Sequence, residues 1–425
     1  NLGVGTEHEK FIFLSKDKKR IPFKGDVSIN SLFQFLLTKG WLPGEISDEN
    51  IISLSRDGAN ITLEPGGQVE LSGKIQKNIH ETCAETTAHL EELNIFIKDN
   101  NLCMMGLGFD PISSMEDIHW IPKKRYNIMK SYMPQVGSRG LDMMSRTCTV
   151  QANFDYTSES DLVKKFVVSN RIQSFVIAIF CNSPFREMKH NGYLSNRVLT
   201  WSDTDIDRCG IKEIFINKNF SIEEYVDFAL DVPNYFLEID NNYVDTTKYS
   251  FNQILKRQTN NKLIDNHDLS LDNWINHLST IFTEVRLKSY LEVRGADAGK
   301  WDMICALPAF WTGLLYDEEN LNILWNETHK WSYSEIMDLY KNVGKEGLKS
   351  KFQGESIYDY CQYLLKLSSK GLERRAFLNR KNRDEQIHLE TLKKIVSSQK
   401  TPADILLEET NSGNNILALF DKPYY

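Results

Sequence analysis

The sequence predicts an α+β fold in which an antiparallel sheet carries its helices on one side. Two observations support this prediction. Short extended segments alternate with helical ones in mixed order, and the turns between neighbouring strands are tight. In addition, neither a P-loop motif nor a GxGxxG motif follows a predicted strand. Any nucleotide site is therefore expected to be neither a P-loop nor the crevice of a doubly wound parallel sheet.

The periodicity of apolar residues assigns the main elements in chain order. Spacing of three and four residues predicts helices at 27–41, 75–100 and 158–180, the last with Ser158 as N-cap. Alternation predicts strands at 8–15 and 147–156, another within 284–297, and two strands around turns within 50–73. After about residue 330 the chain is predicted to be mostly helical, with a last capped helix at 397–409.

Composition limits the functions that the chain could have. Of its 425 residues, 41% are hydrophobic and 25% charged, as in an ordinary globular protein. The net charge of -8 argues against a general nucleic-acid binder, because neutralising phosphates needs a basic surface. The longest strongly apolar stretch, near 174–185, is too short to span a bilayer. Seven irregularly spaced cysteines without a CxxC pair indicate a reducing compartment and no zinc knuckle.

Polar residues that carry oxygen atoms share one face of each of four predicted strands. Side chains on a strand alternate between faces, which groups Glu7 with Glu9, Glu70 with Gln68 and Ser72, Gln151 with Thr149, Asn153 and Asp155, and Glu292 with Arg294. Glu64 ends the strand before the Pro65–Gly67 turn. Taken strand by strand, a solvent-facing surface is the simpler interpretation. If the strands are neighbours, this oxygen-rich cluster predicts a site for a hard cation such as Mg²⁺.

Several arginines lie close in sequence to these strands, namely Arg125, Arg146, Arg197 and Arg294. A guanidinium group can bind a carboxylate or a phosphate through two parallel hydrogen bonds. Taken singly, each arginine is more simply interpreted as a surface ion pair. Combined with carboxylates that bind Mg²⁺, the arginines suit a phosphoryl-transfer site that works by positioning and charge.

Ten sequence blocks also match a known family. They are GTEHEKF (5–11), LEPGGQVELSG (63–73), LGFDP (107–111), RYNIMKSYMP (125–134), RTCTVQANFD (146–155), NGYLSNR (191–197), WSDTDIDR (201–208), ALDVPNYF (229–236), EVRLKSYLEVRGAD (284–297) and ICALPAFWTGLLYD (304–317). In this order the blocks resemble the glutamate–cysteine ligases of the plant and α-proteobacterial type. The helices after residue 317 fit this family more loosely.

The resemblance implies both a fold and an activity. The fold would be like that of glutamine synthetase and the carboxylate–amine ligases, with a curved antiparallel sheet forming a cup and helices outside. Residues 1–330 would form this catalytic domain, and 331–425 a helical segment packed on it as one compact unit. The enzyme would join the γ-carboxyl of L-glutamate to the amino group of L-cysteine, with ATP as co-substrate, through a γ-glutamyl phosphate. This reaction is the first step of glutathione biosynthesis.

The resemblance also implies roles for individual residues. Mg²⁺ would be held by Glu7, Glu9, Glu64, Glu70 and Glu292, with Gln151 beside them. Arg125 and Arg197 would bind the carboxylates of glutamate, in a pocket lined by Thr149 and Tyr235. Arg294 would face the phosphates and act with Glu292 in catalysis. Trp201, next to Ser202 and Asp203, is a candidate for lining the nucleotide or substrate site. Cys83 and Cys305 match positions of a redox-responsive disulfide, the alternative being two buried free thiols.

Further expectations concern partners and location. L-glutamate, L-cysteine and ATP are the expected partners, without nucleic acid or membrane, for a monomer or a homodimer. No secretory leader is visible, so we expect a cytoplasmic protein, or a plastid protein if a transit peptide has been removed. A ligase of the same fold could instead join glutamate to a different amine. A catalytically inactive regulatory homologue is disfavoured because all five glutamates are present. A metal-dependent hydrolase is disfavoured because no His-rich ligand set is visible.

Overall fold

The computed structural model describes residues 2–47, 49–240, 242–258, 269–421 and 424–425. Its strands in chain order are β1 Val4–Leu14, β2 Leu42–Pro43, β3 Ile46–Ser47, β4 Asn50–Ile51, β5 Ser53–Arg56, β6 Ala59–Leu63, β7 Val69–Ser72, β8 Leu102–Met105, β9 Thr149–Phe154, β10 Phe185–Arg186, β11 Lys189–His190, β12 Cys209–Gly210, β13 Phe236–Ile239, β14 Asn242–Asp245, β15 Phe282–Thr283, β16 Val285–Leu287, β17 Leu291–Asp297, β18 Lys351–Phe352 and β19 Glu355–Ser356.

The α-helices are α1 Ile29–Thr38, α2 Ile79–Asp99, α3 Lys124–Val136, α4 Gly140–Arg146, α5 Glu159–Phe180, α6 Asn196–Trp201, α7 Ile222–Asp231, α8 Phe251–Gln258, α9 Leu271–Ser279, α10 Trp301–Leu315, α11 Glu318–Thr328, α12 Tyr333–Glu346, α13 Tyr358–Arg375, α14 Glu390–Ser398 and α15 Pro402–Glu409. Short 3₁₀ helices occur at Met115–Asp117, Glu213–Ile216, Gly347–Lys349, Glu385–Leu389 and Ile416–Phe420.

One antiparallel sheet dominates the described part of the chain. Its strands follow the order β16-β17-β9-β1-β7-β6-β5-β2, and β8 also pairs with the second half of β1. Every pairing within it is antiparallel, as predicted. The central position of β1 brings the first residues of the chain between β7 and β9. Strands that are distant in sequence therefore become neighbours, which was the condition for the predicted acidic cluster.

The two faces of the sheet differ in character. On one face, Val150, Ala152 and Phe154 of β9 are fully buried against the helical layer formed by α2, α5 and α10. His8 of β1 lies on this face, where its ring contacts His89 of α2 at 5.6 Å. Because side chains alternate along a strand, Glu7 and Glu9 point to the opposite face. The hydrophobic core therefore lies on one side, and the other side is free to line a cavity.

The predicted helix starts are confirmed by their caps. Ser158 accepts a hydrogen bond from the backbone N–H of Asp161 at the start of α5. Thr401 and Asp404 form a reciprocal capping box at the start of α15. In the C-terminal part, α12 packs against α5 and α13 packs against α10. Within the described ranges, no helix is both long and apolar enough to cross a lipid bilayer.

Two of the sequence predictions need correction. Residues 50–73 were predicted to hold two strands, whereas β5, β6 and β7 are three strands of the main sheet, separated by the turns at Asp57–Gly58 and Glu64–Gly67. Each turn is short, so the two strands that flank it pair with each other in antiparallel fashion. The strand predicted at 8–15 begins earlier, at Val4, because its first residues pair with β9.

Candidate functional site

A deep cavity of about 530 Å³ opens on the polar face of the sheet. Its floor is built from strands β1, β6, β7, β9 and β17, and its walls come from α3, α6 and the segment between Ser279 and Tyr290. Most of the predicted site residues line it: Glu7, Glu9, Glu64, Glu70, Arg125, Thr149, Gln151, Arg197, Trp201 and Arg294. Two predicted residues, Tyr235 and Glu292, are not among the residues that line this cavity.

Three carboxylates, which we call the acidic trio, converge on the floor of the cavity. Glu9 and Glu70 stand directly opposite each other on β1 and β7. Glu64, on the turn after β6, completes the group, and one oxygen from each residue lies within 4.8 Å of the other two. Like charges directly opposite each other destabilise a sheet. Three clustered oxygen donors of this kind suit a hard divalent cation.

Hydrogen bonds fix the orientation of two members of the acidic trio, Glu70 and Glu9. Both Thr62 and Ser72 donate their hydroxyl hydrogen to Oε1 of Glu70, at 2.9 and 2.8 Å. The backbone N–H of Thr149 donates to Oε2 of Glu9 at 3.1 Å. In each case one carboxylate oxygen is held by the protein. The arrangement is therefore positioned before any ligand arrives.

Burial and mutual repulsion raise the pKa of these carboxyl groups. Burial, and secondly repulsion by the charges of Glu64 and Glu70, raises the pKa of the Glu9 carboxyl group well above its usual value of 4.5. Burial, followed by Glu64, also raises the pKa of Glu70, and burial raises that of Glu64. Burial, Glu292 and Glu70 together raise the pKa of Glu7 to about 7. Without a cation, the ionised form of the cluster is thus unfavourable, and a bound cation would offset the repulsion between the carboxylates.

The wall of the cavity around the acidic trio, which we call the basic wall, carries six cationic side chains. They are Lys123, Arg125, Arg197, Arg286, Lys288 and Arg294. Lys123 forms an ion pair of 2.5 Å with Glu45, which also lines the cavity. The cavity therefore presents negative and positive charge next to each other. This combination suits a polyanion that is bound together with a divalent cation.

Glu292 forms ion pairs with arginines and lies close enough to Glu7 and Glu70 for its charge to raise the pKa of both. Arg286 donates to both of its oxygens, at 2.6 and 3.1 Å, and Arg294 donates to Oε2 at 2.9 Å. Although burial would raise the pKa of Glu292, Arg286 and Arg294 hold it well below the usual value. Glu292 thus orients the arginines of the cavity wall. Its role as a Mg²⁺ ligand stays a prediction.

Gln151 and Arg294 form one unit on neighbouring strands. Nη1 of Arg294 donates to Oε1 of Gln151 at 2.7 Å and to Glu292 at 2.9 Å. Gln151 was predicted to lie beside the metal ligands, and its Cα does pair with that of Glu7. Its amide oxygen, however, faces a guanidinium group. Arg294 is thereby fixed between two acceptors with its remaining donors free to meet an anion in the cavity.

Arg197 and Thr149 are held by a bulge in β17. The register between β17 and β9 shifts between Val293 and Ala296. This shift exposes backbone carbonyls of the bulge, and Arg197 donates to those of Gly295 and Arg294 at 3.0 and 2.7 Å. The hydroxyl of Thr149 donates to the carbonyl of Ala296 at 2.7 Å. The bulge therefore places a buried arginine against the cavity.

Trp201 lies at the end of α6 and lines the cavity, as predicted. The guanidinium of Arg197 lies 5.6 Å from its ring. The indole Nε1–H is buried and has no hydrogen-bond partner within the part of the chain that the structure describes. Since a buried donor without a partner is unfavourable, this group is suited to meet an acceptor on a bound molecule.

Tyr235 does not line the cavity, in contrast to the prediction. Its ring is fully buried beneath the guanidinium of Arg208, at 3.7 Å, and its hydroxyl contacts the sulfur of Met133 at 3.6 Å. Arg208 in turn pairs with buried Asp205 at 2.6 Å. The match in sequence therefore reflects a packing cluster behind the wall. The adjacent Phe236 is the residue of this segment that reaches the cavity.

Sequence reasoning missed a second set of cavity residues, from β16 and the turn after it. Arg286, Lys288 and Tyr290 line the cavity. They alternate with Leu287 in the sequence RLKSY, so the period of two that identified the other strands could have found them. They were overlooked because the block was interpreted only from Leu291 onwards.

Cys83 and Cys305 come together on the opposite side of the sheet. Cys83 lies on α2 and Cys305 on α10, two helices of the layer behind the cavity. Both are free thiols and buried. One atom each of Cys83, Cys305 and His388 lie within 4.8 Å of one another. The juxtaposition required for the predicted disulfide is thus present, while the disulfide itself stays a prediction.

Comparison with known proteins gives consistent results across the chain. A sequence model of glutamate–cysteine ligase family 2 matches residues 3–421. The chain is 42% identical to the chloroplastic glutamate–cysteine ligase A of Oryza sativa subsp. indica over 427 residues, covering 100% of this chain and 85% of that protein. It is 41% identical to the chloroplastic glutamate–cysteine ligase of Arabidopsis thaliana over 424 residues, covering 99% of this chain and 79% of that protein.

Among solved structures, the fold is similar to that of a glutamate–cysteine ligase from Francisella tularensis, determined in complex with AMP. The TM-score is 0.56 at 13% sequence identity, and the match covers 99% of this chain and 88% of that chain. At this level of identity, the comparison supports the fold alone.

Proposed function

The chain belongs to glutamate–cysteine ligase family 2, and on this basis we propose that it joins the γ-carboxyl of L-glutamate to the amino group of L-cysteine, using ATP. The observation that carries the proposal is the pairing, in one cavity, of the acidic trio with a basic wall. A nucleoside triphosphate with a divalent cation needs both kinds of charge side by side. The reaction is the first step of glutathione biosynthesis.

The acidic trio fits a divalent cation by the chemistry of its donors. Its oxygens converge within 4.8 Å, and the pKa of each carboxyl group is raised, chiefly by burial. Glu7 lies next along β1 and would take part from one side. When bound, Mg²⁺ would neutralise the phosphate charge of ATP. Glu292 belongs to the arginine network of the wall in this proposal.

The basic wall would hold the two anionic substrates. Arg294, fixed by Gln151 and Glu292, would bind the phosphates, with Lys288 and Arg286 beside it. Arg125 and Arg197 would bind the carboxylates of glutamate, and the indole N–H of Trp201 would donate to an oxygen of the bound substrate. These residues would align the γ-carboxylate with the γ-phosphorus of ATP, because proximity and charge supply most of the catalysis of phosphoryl transfer.

The proposed chemistry has two steps. First, an oxygen of the glutamate γ-carboxylate forms a bond to the γ-phosphorus while the bond to the leaving ADP breaks, which gives γ-glutamyl phosphate. Next, the amine of cysteine attacks the activated carbonyl carbon, inorganic phosphate leaves, and the ammonium proton is lost to solvent or phosphate. Exclusion of water by the deep cavity would protect the acyl phosphate from hydrolysis between the steps.

A coupled assay of ADP release tests this function. The purified chain is given ATP, Mg²⁺ and L-glutamate, with and without L-cysteine, and with other amines such as glycine or 2-aminobutyrate. We expect ADP release to require glutamate and to be fastest with cysteine. ADP release that does not depend on glutamate would contradict the proposal. A stronger response to another amine would favour a ligase of the same fold with a different acceptor.

Finer features accompany this proposal. We propose Mg²⁺ as the cation and a cup-shaped, glutamine-synthetase-like architecture, with a catalytic region at 1–330 and a helical segment at 331–425. Three further features also stay predictions: a cytoplasmic or plastid location, a monomeric or homodimeric state, and redox control through a Cys83–Cys305 disulfide. Mass spectrometry of the protein before and after treatment with a small disulfide would test the last of these, since the disulfide form lacks two hydrogen atoms.

A further inference from the structure

A cluster of soft ligands lies behind the sheet, outside the proposed active site. Cys83 belongs to α2, Cys305 to α10 and His388 to the 3₁₀ helix Glu385–Leu389. Their ligand atoms lie within 4.8 Å of one another, and Nδ1 of His388 is 3.3 Å from Sγ of Cys83. The family resemblance had paired Cys83 with Cys305, but it did not indicate His388, which comes from a third, distant segment.

A relay of hydrogen bonds fixes the tautomer of His388. Nε2 of His80 lies 3.2 Å from the carbonyl oxygen of Phe377. A carbonyl can only accept, so Nε2 of His80 carries its hydrogen, and in the neutral ring Nδ1 is an acceptor. This Nδ1 lies 3.0 Å from Nε2 of His388, which must therefore donate. Consequently, Nδ1 of His388 is unprotonated and presents its lone pair to the two sulfurs.

We propose that, when Cys83 and Cys305 are reduced, these two residues and His388 form a binding site for a soft divalent metal ion, with Zn²⁺ as the best fit. Tetrahedral zinc with sulfur at about 2.3 Å and nitrogen at about 2.0–2.1 Å separates its ligands by about 3.5–3.8 Å. The observed cluster needs only a small adjustment to reach this geometry. The His80–Phe377 relay supplies the outer hydrogen bond that a ligating histidine usually makes.

Charge also favours a divalent ion. On binding, each thiol gives its proton to solvent, and two thiolates with a neutral imidazole exactly balance a charge of +2. A buried site of zero net charge avoids the penalty of an uncompensated ion. Cys83 and Cys305 are buried, while His388 is partly exposed, so the ion and a water molecule in the fourth position would enter from the side of His388. The site would link α2 to α10 behind the catalytic strands.

Co²⁺ is a spectroscopic probe for this site. The full chain is kept reduced with a phosphine, freed of metal by a chelator and titrated with Co²⁺. We expect a thiolate-to-cobalt charge-transfer band that saturates at one equivalent and disappears when Zn²⁺ is added. Cys83→Ser and Cys305→Ser should each weaken binding by at least about tenfold, since loss of even an outer partner costs 10–100-fold. The matched control is Cys361→Ser, a buried cysteine outside the cluster.

A second measurement keeps the test independent of how well the variants fold. In the unaltered protein, Zn²⁺ should protect Cys83 and Cys305, and not Cys361, from alkylation in denaturant-free buffer, as read by peptide mass spectrometry. Zn²⁺ should also raise the Tm by about 2–5 °C. Absence of the charge-transfer band in the unaltered protein, or its persistence in both Cys83→Ser and Cys305→Ser, would overturn the proposal. Co²⁺ bound to carboxylate oxygens in the cavity gives no thiolate charge-transfer band. The band therefore reports on the cysteine site alone, and this test is independent of the proposed ligase activity.

Discussion

At the scale of single residues, the most informative feature is the repulsion built into the cavity floor. Glu9 and Glu70 face each other across two strands, and Glu64 joins them. A protein selected only for stability would not keep two buried carboxylates and a half-buried one together. Their hydrogen bonds to Thr62, Ser72 and Thr149 hold them in place despite this repulsion. We interpret the cluster as a site whose stability depends on its ligand.

Titration of Glu7 gives a prediction about stability and pH. Its pKa is raised from 4.5 to about 7, so between these values the folded protein binds more protons than the unfolded chain. The free energy of unfolding of metal-free protein should therefore fall as the pH rises from about 4.5 to about 7, by roughly 1–3 kcal/mol from this residue. Chemical denaturation in a chelator, at pH values across this window, measures the change.

Glu7→Gln is the control for this prediction. Glutamine keeps the volume and can still accept the hydrogen bond that Asn153 gives to Glu7. It does not titrate, so the loss of stability over this pH window should become smaller. An unchanged pH dependence in Glu7→Gln would show that another group is responsible.

The position of Tyr235 leads to a prediction about substrate affinity. Tyr235 is buried behind the wall, whereas Trp201 lines the cavity with an unpaired N–H. Tyr235→Phe should leave the KM for glutamate unchanged, because it removes only a weak contact with the sulfur of Met133. Trp201→Phe should raise this KM, because it removes a donor. Steady-state kinetics that showed the reverse pattern would contradict the site described here.

Sequence alone predicted the type and face of the cavity carboxylates, but not all their contacts. The period of two in GTEHEKF and GQVELS places Glu7, Glu9 and Glu70 on the polar face. The engagement of Glu292 by Arg286 depends on the pairing of β16 with β17, in which these two residues stand opposite each other. Such a contact across strands is invisible until the register is known. Tyr235 is the opposite case. It lies in a sequence block that matches the family, but its side chain is buried behind the cavity wall.

At the scale of elements, the bulge in β17 determines the geometry of the basic wall. It shifts the register against β9 between Val293 and Ala296. The displaced carbonyls of Arg294 and Gly295 then accept from Arg197. Bulges often redirect side chains next to active sites. Here the bulge fixes the side chains of Arg197 and Thr149.

Gly295→Ala tests the role of this bulge. A Cβ at this position would lie 2.2 Å from an oxygen of Glu284 and 2.3 Å from the nitrogen of Gln173, so either these two buried side-chain ends or the bulge must move. We expect kcat/KM to fall roughly 100-fold, as for other displacements of about 1 Å, with a loss of stability of about 1–3 kcal/mol. Activity assays and denaturant unfolding measure the two effects.

Gly58→Ala is the matched control. Gly58 has a φ of +88° in the turn between β5 and β6, so alanine there is strained, but it meets only Lys74 at 3.6 Å. This variant should lose stability without losing activity. If Gly295→Ala kept full activity, the bulge would not position Arg197 as described.

Elements with strong local signals were predicted best. The long helices α2 and α5 and the caps of α5 and α15 follow from apolar spacing and from capping side chains. The segment 50–73 was predicted to hold two strands but contributes three to the main sheet. Its short turns show where a strand ends, but not that all three strands pair side by side. The bulge in β17 could not be predicted from the sequence, because it is defined by the pairing register of β17 with β9. Local sequence signals therefore predict where helices and strands lie, whereas the pairing of the strands determines which side chains come into contact.

At the scale of the whole molecule, the sheet separates two kinds of surface. One face packs its apolar residues against α2, α5 and α10, and the other carries the charged cavity. Because β1 lies at the centre, the first residues of the chain stand beside β7, β9 and, one strand further on, β17. The antiparallel class was predictable from the sequence. The order of the strands, on which convergence of the acidic trio depends, was not.

The most direct test of the account is binding of Mn²⁺, as a paramagnetic substitute for Mg²⁺, measured without ATP because ATP itself chelates the ion. Electron paramagnetic resonance of the free ion would be recorded for the unaltered chain, for Glu70→Gln and for Glu91→Gln, an exposed glutamate of α2. We predict that Glu70→Gln remains folded and binds Mn²⁺ at least about tenfold more weakly, because a direct ligand is lost, while Glu91→Gln binds normally. Equal binding by Glu70→Gln and the unaltered chain would contradict the central claim that the acidic trio holds the cation.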